Sequence, residues 1–139
     1  DVYKRQMFSL KIQDIVSDAQ CYEQLRLIRW SEGVHCPHCQ SKQVVKNGGS
    51  PNQRYICRNC DKHFDDLTGT VFSGHKLPLK TWIICLYFMG LNLSNRQIGQ
   101  ELDLHETTVH ELTSKLREAV SEKKLITNLM NQLNSMKFM

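Results

Sequence analysis

The alternation of hydrophobic and polar residues near the start of the chain predicts one short helix. A capping-box sequence at 17–20 precedes Cys21, Leu25 and Ile28, which recur at the spacing of one helix face. Gly33 then supplies a stop signal. Helical periodicity accounts for Cys21, so we assign that cysteine a structural role rather than a reactive one.

From the middle of the chain the pattern changes to short β-prone runs separated by turn residues. Positions 43–46 and 53–56 are two such runs, and the Asn47-Gly48 pair between them is typical of a β-hairpin. A further run at 67–72 contains β-branched threonines and a valine, and we expect it to add a third strand.

Three more helices are predicted after the strands. An apolar run at 79–89 ends at Gly90, a second capping box at 94–97 opens a helix that reaches Leu102, and another helix spans 106–123. The remaining residues keep apolar positions at helical spacing, so they are expected to extend the last helix or to fray.

Composition and charge restrict the class of protein. The 139 residues carry a net charge of +4, a mildly basic balance that permits a nucleic-acid partner without requiring one. No signal-peptide pattern is present, and the longest apolar run is shorter than the ~20 residues that a membrane-spanning helix needs. We therefore expect a soluble, cytoplasmic protein.

Residues 1–6 resemble a translated sequencing-library adapter, so the native start is expected at Met7.

Four of the six cysteines form two C-x-x-C pairs, Cys36 with Cys39 and Cys57 with Cys60. The spacing C-x2-C-x17-C-x2-C is typical of a zinc ribbon, in which two tight turns direct four thiolates at one metal ion. Four sulfurs complete the tetrahedron and leave no position for water or substrate. The pattern predicts one structural Zn²⁺ with no catalytic role.

Other uses of these cysteines have to be weighed against zinc. Two disulfides would suit an exported protein, a redox-active pair would suit a βαβ pattern, and an iron–sulfur cluster also takes four cysteines. The hairpin between the pairs favours zinc. His35, His38 and His63 flank the cysteines as alternative ligands, although four thiolates already close the site.

The segment 95–114 has the pattern of a helix-turn-helix. Gly99 lies where the two helices would cross, and Asp103 stands at a turn position that commonly holds glycine but tolerates left-handed geometry. The apolar positions that such a unit buries are Ile98, Leu102, Leu104, Val109 and Leu112.

In such a unit the second helix lies in the major groove of DNA, with its first residues near the base edges. Here those residues are His105, Glu106, Thr107, Thr108, His110, Glu111, Ser114 and Lys115. Arg96, Lys115 and Arg117 are the expected phosphate contacts. The alternative is that the three helices only pack or dimerise, because Glu106 and Glu111 weaken the positive field of the second helix.

Together these features predict an α+β fold: a three-stranded zinc-ribbon unit flanked by an N-terminal helix and a C-terminal three-helix, helix-turn-helix unit. The expected division is adapter-derived residues 1–6, a helical segment 7–34, the zinc ribbon 35–76, the helix-turn-helix 77–123 and a helical or frayed tail 124–139.

Several motifs occur together around these elements. Arg29-Trp30 precedes the first cysteine pair, Thr68-Gly69-Thr70-Val71-Phe72 follows the second, and Leu77-Pro78-Leu79-Lys80-Thr81-Trp82 opens the helices. With them, residues 8–120 resemble the N-terminal part of bacterial insertion-sequence transposases of the zinc-ribbon group.

The resemblance implies recognition of an element's terminal repeats, and it implies a catalytic domain in which three acidic residues use divalent metal for strand transfer. Downstream of Arg117 the chain offers Glu118 and Glu122 alone, and Asp65-Asp66 has the pattern of a turn. We therefore predict a module that binds double-stranded DNA and is not an enzyme by itself, either a transposase fragment or a separate partner. Its further partners would be a second copy or the catalytic domain of the parent. A zinc-ribbon protein–protein interaction module and a stand-alone DNA-binding regulator are the alternatives.

Overall fold

The computed structural model describes residues 16–122. The first helix, α1 (Asp18–Arg29), begins at the predicted capping box: the Ser17 hydroxyl accepts a hydrogen bond from the Gln20 N–H at 3.2 Å, and the Gln20 side chain accepts one from the Ser17 N–H at 3.1 Å. The expectations for residues 1–15, which include the adapter, and for the tail 124–139 lie outside the described residues.

Three antiparallel strands form one sheet in chain order, β1 (Val44–Lys46), β2 (Arg54–Cys57) and β3 (His63–Asp65). The central Tyr55 lies opposite Lys46 on one side and Phe64 on the other. The predicted hairpin is confirmed, because β1 and β2 pair across the loop that contains Asn47-Gly48.

The predicted third strand at 67–72 is wrong, since β3 lies earlier in the chain and these residues form turns. The Asp65 carboxylate explains the difference. It accepts hydrogen bonds from the backbone N–H groups of Leu67 at 2.8 Å and Thr68 at 2.9 Å, which bends the chain away from the sheet. Backbone donors used in this way cannot extend the ladder, whatever the β-propensity of the side chains.

Three helices follow the sheet in the described part of the chain: α2 (Leu79–Gly90), α3 (Asn95–Leu102) and α4 (Glu106–Glu122). The second capping box is confirmed, with Ser94 and Gln97 bonded reciprocally. Asp103 caps α3 in the left-handed conformation, with φ 57° and ψ 43°, as its turn position predicts. These elements confirm the predicted α+β fold.

The hydrophobic interior has two parts, and α1 contributes to both. Its Cys21, Tyr22 and Leu25 pack into the core formed by the three later helices. Its C-terminal neighbour Trp30 packs into the core of the ribbon beside Tyr55. One short helix therefore connects the ribbon with the helical unit. The domain boundaries expected after residues 34 and 76 remain a prediction. Within 16–122, no helix combines the length and apolarity that spanning a membrane requires.

Candidate metal centre and nucleic-acid interface

The two cysteine pairs have the same backbone geometry. After each pair one residue adopts a left-handed conformation, Gln40 with φ 66° and Asp61 with φ 61°. The N–H of Gln40 donates to the Cys36 carbonyl at 2.8 Å, and the N–H of Asp61 donates to the Cys57 carbonyl at 2.9 Å. Each pair is therefore a closed turn whose two sulfurs face the same side.

The sheet brings these two turns together. Cys36 Sγ lies 3.6 Å from Cys60 Sγ, and Cys39 Sγ lies 3.5 Å from Cys57 Sγ, with all four sulfurs within 4.8 Å of one another. A tetrahedral zinc ion with Zn–S bonds of about 2.3 Å sets its sulfurs about 3.8 Å apart, so the arrangement fits that ion. A disulfide needs about 2.05 Å, which none of these sulfur pairs approaches. The four cysteines form one structural zinc site, as predicted.

Hydrogen bonds and mutual repulsion set the ionisation of the sulfurs. The Asn59 side chain donates to Cys39 Sγ at 3.5 Å, and this bond is the largest cause that lowers the pKa of Cys39 to about 6. The backbone hydrogen bond from Lys62 favours the Cys60 thiolate, but desolvation and the neighbouring cysteines raise the pKa of Cys60 to about 12. The pKa values of Cys39 and Cys60 shift in opposite directions because a thiolate on one sulfur disfavours a second thiolate nearby. A bound dication offsets this repulsion, so that all four thiols can ionise.

The flanking histidines do not complete the site. Within the described part of the chain, the four-cysteine cluster is the one group of His, Cys, Asp and Glu side chains that converges tightly enough to hold a metal ion. His35 instead sets its ring against the edge of Trp30, with centroids 5.3 Å apart.

A buried carboxylate next to the ribbon escaped the sequence analysis. Asp66 lies in the expected turn, but its side chain is fully buried and accepts hydrogen bonds from Arg26 at 2.7 Å, Trp30 at 3.2 Å and Tyr55 at 2.8 Å. The backbone N–H of Gln53 adds a fourth bond at 2.9 Å. The carboxylate therefore ties the end of α1 to the sheet, and it is engaged in structure rather than in metal binding.

The Arg29-Trp30 motif has a related role. The Arg29 guanidinium donates to the carbonyl oxygens of Asp66 and Thr68 and lies 4.3 Å from the centroid of the Trp30 ring. These bonds satisfy carbonyl groups of the turn that replaces the predicted third strand. The motif thus fixes the path of the chain behind the metal site.

The α3 and α4 helices cross closely at Gly99. A methyl group built on Gly99 would lie 2.8 Å from the carbonyl oxygen of Leu104, and the N–H of Leu104 donates to the Gly99 carbonyl at 2.9 Å. Four apolar residues predicted to be internal, Ile98, Leu102, Val109 and Leu112, are buried, and Leu104 is half-buried against the same core. A short link and a residue without a side chain therefore let α3 and α4 approach closely.

All ten residues predicted to contact DNA keep exposed or half-buried side chains on α3, the link or α4. They are Arg96, His105, Glu106, Thr107, Thr108, His110, Glu111, Ser114, Lys115 and Arg117. With about 3.6 residues per turn, four of them lie on the side of α4 that faces away from buried Val109, Leu112 and Leu116, namely Thr107, His110, Glu111 and Ser114. The others on α4 lie towards the edges of that side. The structure therefore leaves this side of the helix open to a partner.

Two depressions flank the exposed side of α4. The first, of about 470 Å³, lies between α3 and the start of α4 and includes Arg96, His105 and Glu106. The second, of about 90 Å³, includes Thr108 and Lys115. The two depressions together are lined by six of the ten predicted contacts.

Comparison with known proteins agrees with this architecture. Residues 16–63 match the family model of the transposase zinc-ribbon domain. The chain is 35% identical over 113 residues to an uncharacterized protein in transposable element ISH50 of Halobacterium salinarum, a match that covers 80% of this chain and 38% of that protein. It is 32% identical over 91 residues to the insertion element iso-IS1N protein InsA of Shigella dysenteriae, covering 64% of this chain and 97% of InsA. No solved structure gives a significant match. The chain spans well under half of the first relative and nearly all of the second.

Proposed function

We propose that this chain, which belongs to the transposase zinc-ribbon family of insertion-element proteins, binds double-stranded DNA at the ends of such an element. The observation that carries the proposal is the α3–α4 unit. It joins a short left-handed link, a close crossing at Gly99 and an exposed helix face rich in hydrogen-bonding side chains.

Sequence recognition is assigned to the exposed side of α4. Thr107 and His110 lie near its centre, where their side chains can reach base edges in the major groove. Glu106 and Glu111 accept hydrogen bonds and therefore favour the amino group of cytosine over phosphate. Arg96, Lys115 and Arg117 supply the positive charge that neutralises the DNA backbone.

The zinc ribbon is assigned a supporting role in DNA binding. Its four sulfurs leave no open coordination position for chemistry, and its core continues into α1 through Trp30. Since α1 packs into the core of the later helices, zinc and the Asp66 cluster fix the ribbon relative to the helical unit through α1. We assign strand transfer to a separate acidic domain, carried by a longer parent or by a partner protein, because the described carboxylates do not converge on a metal site.

Fluorescence anisotropy with duplex DNA tests the proposal. A duplex selected from a random library, or taken from the ends of the element, should bind with a log K that falls by about 0.9 per phosphate contact for each tenfold rise in salt. Thr107→Ala and His110→Ala should weaken binding to the selected duplex more than binding to a shuffled one. Glu101→Ala, on the exposed surface of α3, is the matched control and should leave the preference intact.

The proposal fails if zinc-loaded protein binds no duplex, or if selected and shuffled duplexes bind equally. A pull-down that depends on Thr107 and His110 without any DNA affinity would instead identify a protein-interaction module.

A further inference from the structure

A second depression lies between α4 and the linker that leads from the ribbon to α2. Its volume is about 90 Å³, and the residues that matter to its chemistry are His75, Lys76, Trp82, Thr108, Glu111 and Lys115. The linker and α4 therefore form opposite walls of one small site. The helix-turn-helix pattern includes only the α4 wall, so the linker adds residues that the proposed DNA interface does not use.

The charges in this depression favour an anion. Lys76 on the linker and Lys115 on α4 are both exposed, and they outnumber the one lining carboxylate, Glu111. Thr108 adds a half-buried hydroxyl from the helix, and His75 adds a half-buried imidazole from the linker. Two ammonium groups beside a hydroxyl and an imidazole suit a group that has several acceptor oxygens and a negative charge.

Trp82 provides a rigid base beneath these groups. Its side chain is buried, and its ring centroid lies 4.7 Å from that of His75 and 5.9 Å from that of Phe72. The indole N–H is also buried and has no acceptor among the described residues. Trp82 thus gives the depression an aromatic wall that brings no hydrogen-bond acceptor to compete with an anion.

We infer that this depression binds a phosphodiester group of the DNA backbone, so that the linker forms part of the DNA interface. The inference rests on the proposed function. Thr108 and Lys115 stand on the helix assigned to the major groove, and a phosphate at the edge of that groove lies beside the helix. Lys76 then holds the phosphate from the opposite side.

The salt dependence of duplex binding tests the role of the linker. Lys76→Gln removes an exposed charge and should lower the slope of log K against log salt by about 0.9, the value for one phosphate contact. Lys46→Gln is the matched control, because it removes the same charge from β1, which contributes nothing to the depression. An unchanged slope for Lys76→Gln, or an equal fall for both variants, would overturn the inference.

The two tryptophans give an independent readout by NMR. Their indole N–H signals belong to Trp82, next to the depression, and Trp30, which donates to Asp66 inside the ribbon. Duplex DNA should shift the Trp82 signal and leave that of Trp30 in place, and Lys76→Gln should reduce the shift. If DNA binds with the predicted sequence preference and the Trp82 signal does not move, the linker site is wrong while the proposed function stands. If no duplex binds, both are wrong.

Discussion

The Nε of Arg26 lies 2.7 Å from an oxygen of the Asp66 carboxylate, which is fully buried, while the Arg26 side chain is 31% exposed. A carboxylate taken out of water is costly unless its oxygens are satisfied, and here Arg26 of α1, Trp30 just beyond it and Tyr55 of the sheet satisfy them. This one carboxylate therefore joins the end of α1 to the sheet through several hydrogen bonds, beside those that Arg29 makes to the carbonyl groups of the same turn.

Removing that acid should be strongly destabilising. Asp66→Ala leaves the donors of Arg26, Trp30 and Tyr55 without an acceptor, and we expect it to lower the free energy of unfolding by about 3–5 kcal/mol. Tyr55→Phe removes one hydrogen bond and should cost about 1 kcal/mol, so it reports on the same cluster if the first variant does not fold.

Urea denaturation of the zinc-loaded protein measures both changes. Glu32→Ala is the control, because it removes an exposed carboxylate just beyond α1 and should change stability by less than about 0.5 kcal/mol. A loss for Asp66→Ala no larger than that of the control would show that the cluster contributes little.

The Asp66 cluster also shows which contacts the sequence does not predict. The helix caps and the metal ligands follow from spacings of three or four residues, and the structure confirms the caps at Ser17 and Ser94. Asp66 instead binds side chains 40, 36 and 11 positions away in the sequence. Nothing local to an Asp-Asp pair distinguishes a buried acceptor from an exposed turn residue. The misplaced third strand has the same origin, since the turn formed by Asp65 overrides the β-propensity of 67–72.

The left-handed residue after the first cysteine pair predicts a stabilising substitution. Gln40 has φ 66°, a conformation that costs a residue with a Cβ about 1–2 kcal/mol and costs glycine nothing. Glycine also makes the unfolded chain more flexible, which offsets part of the gain. We expect Gln40→Gly to raise the free energy of unfolding by about 0.5–1 kcal/mol.

Thermal unfolding with zinc in excess measures this gain. Gln40→Val is the opposing variant, because a β-branched side chain tolerates the left-handed region poorly and should lower stability. The geometric account is wrong if glycine destabilises the protein and valine does not.

The crossing of α3 and α4 predicts a site where one methyl group is harmful. Gly99→Ala places a Cβ 2.8 Å from the Leu104 carbonyl oxygen, which belongs to the backbone and cannot rotate away. Helix propensity alone favours alanine over glycine, but overpacking of this kind costs about 1–3 kcal/mol and should prevail. We expect lower stability and weaker duplex binding, because the link that positions α4 has to move.

Denaturation and anisotropy on the same samples separate these effects. Glu101→Ala changes an exposed residue of the same helix and should leave stability and binding nearly unchanged. Equal stability of Gly99→Ala and the parent protein would mean that the helices cross less closely than the structure shows.

The six cysteines should react with a thiol reagent in two separate groups. Burial raises the pKa of Cys21 to about 11 and that of Cys85 to about 12, so neither forms an appreciable amount of thiolate at pH 7, and both lie in the helical core. The other four are zinc ligands and should be protected only while the metal is bound.

Titration with Ellman's reagent measures these groups directly. Zinc-loaded protein should show no rapid reaction, a chelator should release four thiols, and denaturant should release the remaining two. A double variant, Cys21→Ala with Cys85→Ala, is the control and should lose only the last two. If all six thiols react as soon as the metal is removed, the helical core depends on the ribbon for its folding. If the four ribbon thiols react before chelation, the zinc assignment itself fails.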